Sequence, residues 1–402
     1  MGTYTIGILS ESKEKESRSP LSPADAHLLL NTFKNLHIKV EPSKNRVYNN
    51  EEYIKAGAEI TNDLSNCDII VGLKEVKKER ILEGKTYLFF AHVAKRQNDK
   101  KEYLKTLISK NITLIDYEYL TQNSTKRIAA FGYWAGIAGV YLGIRALGKT
   151  YNCFDLPKVN KFTNVDELYQ MLTNIELPSV KIAISGTGNS SKGVIDTLKR
   201  MNIRAVKYDK IHPNNISEPL FTVLSPHDYF VNKQGIKYTK AHFKQNPHHY
   251  ESILHRYVLN CDVYFACHYW EKGMPVLLNK QHLSNTENRL KVITDISCDI
   301  NGPIASSIKE TSINDPFYDY NPQSDIIEPA FSSNKNILVS TVPNLPSILP
   351  YDSTNYFSKI LTEKVFPLLI AKKENEIIKN ATIIQQGRLT FAFSYLNKYI
   401  ST

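Results

Sequence analysis

The stretch Val180-Lys-Ile-Ala-Ile-Ser-Gly186-Thr-Gly188-Asn189-Ser-Ser191-Lys-Gly193 constrains this chain more than any other. A short apolar run reads as a buried strand, and the glycine-spaced polar segment after it reads as a tight turn that opens a helix. Gly186 permits the turn. Gly188 removes the side chain where backbone N–H groups approach a pyrophosphate, whose charge the helix start stabilises. Ser191 takes the third position of the usual glycine pattern, with Gly193 two residues later, and serine is small enough for close strand–helix packing. Asp209 follows Gly188 by about 20 residues, the distance at which an acid can bind a ribose 2′-hydroxyl. The expected cofactor contacts are therefore Gly186, Gly188, Asn189, Ser191 and Asp209. Asp209 favours NAD. Lys207 and Lys210 beside it could hold a 2′-phosphate, so NADP stays open.

The rest of the chain alternates short apolar runs with helical patterns, which implies an α/β fold with mostly parallel sheets covered on both faces. In the first part, strands are expected at Tyr4–Leu9, Asp68–Leu73, Thr86–Ala91 and Ile112–Tyr117. Helices are expected at Pro23–Leu36, Glu51–Ala58 and Asn98–Ser109. A helix rich in Gly and Ala, from Ala129 to about Leu147, carries the chain out of this unit. In the second part, Val180–Ser185, Arg204–Tyr208, Asp262–Ala266, Leu290–Ile296 and Ile337–Thr341 read as strands and Ser190–Met201 as a helix. Polar excursions at 211–250 and 301–336 are long for simple connections. After Pro346 the pattern is helical again, at 353–373 and 374–384. Returning this tail to the first unit gives two Rossmann-like, doubly wound domains flanking an inter-domain cleft. The first is discontinuous, residues 1–140 plus 345–402, and carries substrate. The second, 141–344, holds the dinucleotide.

The expected strands of the first unit end in polar residues: Lys74-Glu75, His92 and Glu118. The first strand runs into Glu11, with Glu16 and Arg18 in the loop beyond. In a parallel sheet these ends share the edge where ligands bind. A lysine made less basic by burial or by nearby positive charge can move protons near neutral pH. Histidine does so with its ordinary pKa, and arginine clamps a carboxylate with two bonds.

Composition excludes other classes. With 50 Lys and Arg against 40 Asp and Glu, the net charge is +10, but the basic residues are interleaved with acids, which argues against nucleic acid. The apolar stretch Ile128–Ile144 is at the short limit for a membrane span and reads as a buried helix. The charged first 20 residues lack the apolar region of a secretory leader. The five cysteines are scattered without a CxxC pair, which fits reduced thiols and a cytoplasmic location. His242, His248, His249 and His255 cluster, but no Cys or paired acid completes a metal site there, so none is expected. Cys267-His268 follows a strand and lines the cofactor crevice or merely packs.

Several phrases resemble the lysine–2-oxoglutarate reductase domain. They are Arg18-Ser-Pro-Leu-Ser-Pro23, Gly72-Leu-Lys74-Glu75, Phe89-Phe-Ala-His92, Leu114-Ile-Asp-Tyr-Glu118 and Ala130-Phe-Gly-Tyr-Trp-Ala-Gly136, then Gly186–Gly193, Thr294-Asp-Ile-Ser-Cys-Asp299 and Asn344-Leu-Pro-Ser-Ile-Leu-Pro350. The same domain occurs in aminoadipate-semialdehyde synthases, and saccharopine dehydrogenases share most of these motifs. Alanine dehydrogenase and transhydrogenase are more distant relatives of the same architecture. The resemblance implies that Lys74 and His92 are an acid–base pair and that Arg18 holds a substrate carboxylate. It implies that Glu16, Glu75 and Glu118 lie near the substrate amine, that Lys95 and Arg127 are further carboxylate contacts, and that Asp299 lies near the nicotinamide.

The expected function is NAD(P)-dependent condensation of lysine with 2-oxoglutarate to saccharopine, or its reversal. The partners are then a small amino acid and a keto acid, with no nucleic acid and no membrane, and a homo-oligomer is left open. Two rival readings are an alanine-dehydrogenase-like reductive amination of a small keto acid and a non-catalytic protein that binds nicotinamide or amino acids.

Overall fold

A computed structural model describes residues 3–13, 16–122, 126–211 and 216–401 of the 402-residue chain. The chain divides into two compact units, Met1–Phe131 with Pro350–Thr402, and Gly132–Leu349. Each is α/β.

The first unit is built on an eight-stranded sheet. Across the sheet the strands run Arg388–Leu389, Thr382–Gln385, Thr113–Asp116, Thr86–Phe89, Ile69–Val71, Tyr4–Ile8, Leu36–Val40 and Glu59–Ile60. The pairs from Thr113–Asp116 to Glu59–Ile60 are parallel, and the two strands contributed by the tail are antiparallel. Ile6, Ile8, Ile69, Val71, Leu88 and Leu114 are essentially inaccessible to solvent. Such strands, buried on both faces, are continuous apolar runs rather than alternating ones.

Two expectations for this unit are corrected. The helix expected at 23–36 ends at Thr32, and the chain turns into a strand at Leu36. Ser22 caps that helix by accepting from Asp25 N, and Pro23 occupies its first turn. The helix expected at 374–384 is only Glu376–Ala381, and Thr382–Gln385 joins the sheet. Ile-rich runs this short suit either state, and the open edge beside Thr113–Asp116 decides for strand.

The second sheet also has eight strands. Their order is Arg204–Ala205, Leu220–Leu224, Lys181–Ser185, Val263–Ala266, Val292–Asp295, Ile337–Ser340, Tyr318–Asn321 and Ile326–Glu328. All pairs are parallel as far as Ile337–Ser340, and the last two strands are antiparallel. The chain leaves Lys181–Ser185 for one side of the sheet and later returns to the other. This makes a topological switch at the Gly186 turn.

Three expectations for this unit are corrected. The strand expected at 204–208 stops at Ala205, and Tyr208–Ile211 is a short helix. The excursion at 211–250 contains the strand Leu220–Leu224, which displaces Arg204–Ala205 to the edge. Residues 212–215 of that excursion lie outside the described residues. The excursion at 301–336 supplies the two antiparallel strands.

The small-residue helix, Gly132–Tyr151, is buried from Gly136 to Gly148 and packs across the helix Asn189–Arg200. A Cβ on Gly193 would stand well inside contact distance of Tyr133 O, and one on Gly136 would do the same to Ser190 O. Among the described residues no helix is long and apolar enough to cross a membrane. Gly193→Ala is expected to destabilise the second unit by about 3 kcal/mol, because backbone carbonyl rather than a yielding side chain must move. Gly188→Ala, where a Cβ meets nothing within 4 Å, should change stability by no more than about 0.5 kcal/mol. Urea unfolding of both variants checks the contrast.

Candidate functional site

The C-terminal edge of the first sheet gathers two groups of ionisable side chains. The first surrounds Lys74. Leu73 N and Lys74 N donate to the two carboxylate oxygens of Glu11 at 2.6 and 3.0 Å. Gly72 leaves room for this: its Cβ would sit 3.3 Å from Glu11 Oε1. Burial raises Glu11 to about 7, opposed by those backbone bonds and helped by the charge on Glu16. Burial and then Arg18 lower Lys74 to about 8, against the pull of Glu16 and Glu11.

Arg18 is 2% and Glu16 3% exposed. They form a bidentate pair, Arg18 Nε to Glu16 Oε1 at 2.7 Å and Nη2 to Oε2 at 2.6 Å. The guanidinium also lies 4.3 Å from the centre of the Phe131 ring. Burial alone would raise Glu16, but Arg18 and Lys74 outweigh it and hold the carboxyl at about 2. Arg18, expected to hold a substrate carboxylate, thus already has Glu16 on two of its nitrogens.

The second group centres on Glu118. His92 Nδ1 lies 3.6 Å from Glu118 Oε2, while Lys95 Nζ and Arg127 Nη2 stand 3.0 and 2.7 Å from Oε1. Burial pushes Glu118 up, but His92, Lys95 and Arg127 together hold it at about 2. His92 has φ +56, in the left-handed region, and its ring stacks on Phe90 with centroids 6.2 Å apart. Asp116 anchors this loop by accepting from Ala91 N and Glu118 N. Burial raises Asp116 to about 6. The two groups are neighbours because Phe90 N donates to Leu73 O at 3.1 Å across adjacent strand ends.

Glu75 is not brought to Lys74. It pairs with Lys100 at 2.9 Å, on the side of the helix Lys101–Ser109. Glu11 and Tyr117 are additions to the expected site. Tyr117 is fully buried, and its hydroxyl has no hydrogen-bond partner. Glu11 was visible as a strand-end carboxylate, whereas Tyr117 read as core.

In the second unit, Gly186 has φ +92, and a Cβ there would lie 2.5 Å from Cys267 O. Only glycine fits. Gly188 caps the helix Asn189–Arg200 and faces open space. Ser191 is buried, with its hydroxyl unpartnered. An exposed helix start beside a turn that admits no side chain fits a dinucleotide pyrophosphate. Beneath the turn, Ser185 Oγ contacts Tyr264 Oη at 2.7 Å and His268 Nδ1 at 3.2 Å. Ser297 Oγ contacts His268 Nε2 at 3.3 Å and donates to Asp295 at 2.6 Å. Burial lowers His268 to about 4, so it is a neutral, packed strand-end residue. Asp299 is half-buried just past the end of Val292–Asp295. Asp209 is exposed in the helix Tyr208–Ile211.

Glu16→Gln tests the electrostatics. It leaves a buried guanidinium without its counter-charge and should cost about 3–5 kcal/mol of stability. It also removes a charge that favours Lys74 protonation, so Lys74 should lose its proton at a lower pH than in the parent. The pH dependence of Lys74 acylation, read by peptide mapping, checks the direction.

Residues 7–138 match the alanine dehydrogenase/PNT N-terminal domain. The chain is 28% identical to an alpha-aminoadipic semialdehyde synthase of Arabidopsis thaliana, over 98% of this chain and 41% of that protein. It is 27% identical to the mitochondrial alpha-aminoadipic semialdehyde synthase of Mus musculus, over 95% of this chain and 46% of that protein. The chain thus spans less than half the length of these synthases. It is also 27% identical to a saccharopine dehydrogenase [NAD(+), L-lysine-forming] of Emericella nidulans, over 97% of both chains. Among solved structures, an L-alanine dehydrogenase shares the fold with a TM-score of 0.67 at 15% identity, covering 98% of this chain and 99% of that one. A transhydrogenase from Sinorhizobium meliloti gives 0.59 at 15% identity, covering 96% and 98%. Residues 7–138 thus match the alanine dehydrogenase/PNT N-terminal domain, the chain as a whole is similar to saccharopine dehydrogenases and alpha-aminoadipic semialdehyde synthases, and it shares the fold of L-alanine dehydrogenase.

Proposed function

We propose that this chain is a nicotinamide-dependent oxidoreductase acting on a CH–NH bond, which condenses lysine with 2-oxoglutarate to saccharopine or runs the reverse oxidation. The observation that carries this reading is the half-buried Lys74, lowered to about 8 by burial and Arg18. It sits on the same sheet edge as His92. An amine that exchanges its proton near neutral pH is what carbon–nitrogen bond formation requires.

The proton account then follows. The ε-amine of substrate lysine must be neutral to attack the keto carbon of 2-oxoglutarate, and Lys74 Nζ takes the proton it sheds. The carbinolamine loses its oxygen as water, and His92 supplies the proton that this oxygen needs. With Nδ1 turned toward Glu118, Nε2 is the nitrogen left for this transfer. Lys95 and Arg127 are about half-exposed and share one carboxylate. Two cations on one anion leave positive charge for a substrate carboxylate. The buried Arg18 contributes mainly through Lys74, by repulsion. When bound, a nicotinamide cofactor supplies the hydride that reduces the carbon–nitrogen double bond, or accepts it in reverse. Gly186, Gly188, Asn189 and Ser191 would hold its pyrophosphate, and Asp299 would lie toward the nicotinamide.

NADH oxidation followed with lysine plus 2-oxoglutarate, and separately with pyruvate plus ammonia, tests the reading. The first mixture should turn over. Turnover of the second alone would favour the alanine-dehydrogenase-like reaction, and turnover of neither would favour a binding protein. Lys74→Met should abolish turnover and leave the dissociation constant for NADH within about twofold. Equal loss of both would make Lys74 a structural residue. In the condensation direction Lys74 must be neutral, so the rising limb of kcat/KM against pH should be centred near about 8.

A further inference from the structure

The adenosine ribose of a dinucleotide is read beside the glycine turn, at the end of the strand adjacent to the one that bears the turn. Here that neighbour is Leu220–Leu224, which pairs in parallel with Lys181–Ser185 and sets Leu224 opposite Ser185. Gly186 N donates to Leu224 O at 2.8 Å. Ser225 therefore leaves the sheet level with Gly186, one strand spacing of about 4.8 Å away.

Arg204–Ala205 lies outside this strand and pairs only with Leu220 and Phe221. Val206 N donates to Phe221 O at 2.9 Å, after which the chain leaves the sheet level with Thr222. That is roughly 7 Å below the edge where Leu224 ends. The segment is then tied elsewhere. Tyr208 Oη donates to Arg256 O at 2.8 Å and accepts from Asn260 Nδ2 at 3.0 Å. Asn260 precedes Val263–Ala266 and enters that strand from the far end of the sheet. Asp209 follows Tyr208 on this tethered segment and is exposed.

We infer that Ser225 and Asp228, not Asp209, read the 2′ position of the adenosine ribose and set a preference for a cofactor with a free 2′-hydroxyl. This rests on the reading of the second unit as a nicotinamide-nucleotide domain. Asp228 Oδ2 accepts from Ser225 N at 2.6 Å and from Ser225 Oγ at 2.7 Å, which fixes the carboxylate over the strand end. Ser225 is half-buried and Asp228 exposed. A carboxylate here accepts from a ribose hydroxyl and repels a phosphate dianion. From Leu224 to Asn232 the chain contains no Arg or Lys to neutralise a 2′-phosphate. His227 is turned edge-on against Tyr238, with centroids 4.7 Å apart.

The experiment is fluorescence titration of the full chain with NADH and with NADPH, without substrate. The parent should bind NADH at least about tenfold more tightly, the worth of one hydrogen bond to a charged group. Asp228→Asn should narrow that gap about tenfold. Ser225→Arg should reverse it, and leaves the Asp228 carboxylate in place should the first variant fold poorly. Asp209→Asn should leave both constants within about twofold, as expected of an exposed residue away from the ligand. A gap that closes in Asp209→Asn and persists in the other two variants overturns the inference. Equal binding of both cofactors by the parent also overturns it, while leaving the nucleotide reading intact. Binding of neither overturns the nucleotide reading, and the inference with it.

Discussion

The chemistry of the first unit depends on one buried charge. Arg18 is 2% exposed, and a guanidinium does not shed its proton to escape desolvation. It must therefore carry its counter-ion with it, and Glu16 supplies both oxygens. That pair is costly to bury and returns little net stability compared with an apolar substitute. Its effect is local: the cation repels Lys74 while Glu16 attracts it, and burial tips the balance toward a neutral amine. The aromatic floor of Phe131, Phe357, Tyr117 and Phe90 fixes the geometry in which this balance is struck.

The second unit solves the opposite problem, with backbone polarity rather than side-chain charge. The turn at Gly186 and the helix start at Gly188 present N–H groups, and the glycines keep side chains out of their way. Support comes from a buried polar network. Ser185, Tyr264, His268 and Ser297 satisfy one another beneath the turn, and burial disfavours a charge on His268.

What the sequence made legible were features with a local physical cause. The glycine turn follows from backbone conformation, and the strand-end positions of Lys74, His92 and Glu118 follow from apolar runs stopping at polar residues. Features set by tertiary pairing were not legible. Leu36–Val40 hid at the end of a helical pattern because Leu36 suits either state. Leu220–Leu224 hid in a polar excursion, and with it the fact that Arg204–Ala205 is pushed to the edge. Spacing along the chain singles out Asp209 for the ribose, whereas the strand adjacent to the glycine turn is Leu220–Leu224. Glu75 is a simpler case. The resemblance implied a place near the substrate amine, and the carboxylate is paired with Lys100.

Glu11 and Lys74 illustrate why such a site sits where it does on the fold. Burial disfavours charge on both, which raises the acid to about 7 and lowers the amine to about 8. In water the two would differ by about six units and the proton would always rest on the amine. Burial thus narrows the gap between the acid and the amine from both sides. Two backbone N–H groups bonded to Glu11 oppose its rise. A strand end provides all three requirements at once: partial burial, a carboxylate from the neighbouring strand, and backbone donors freed by the end of the ladder.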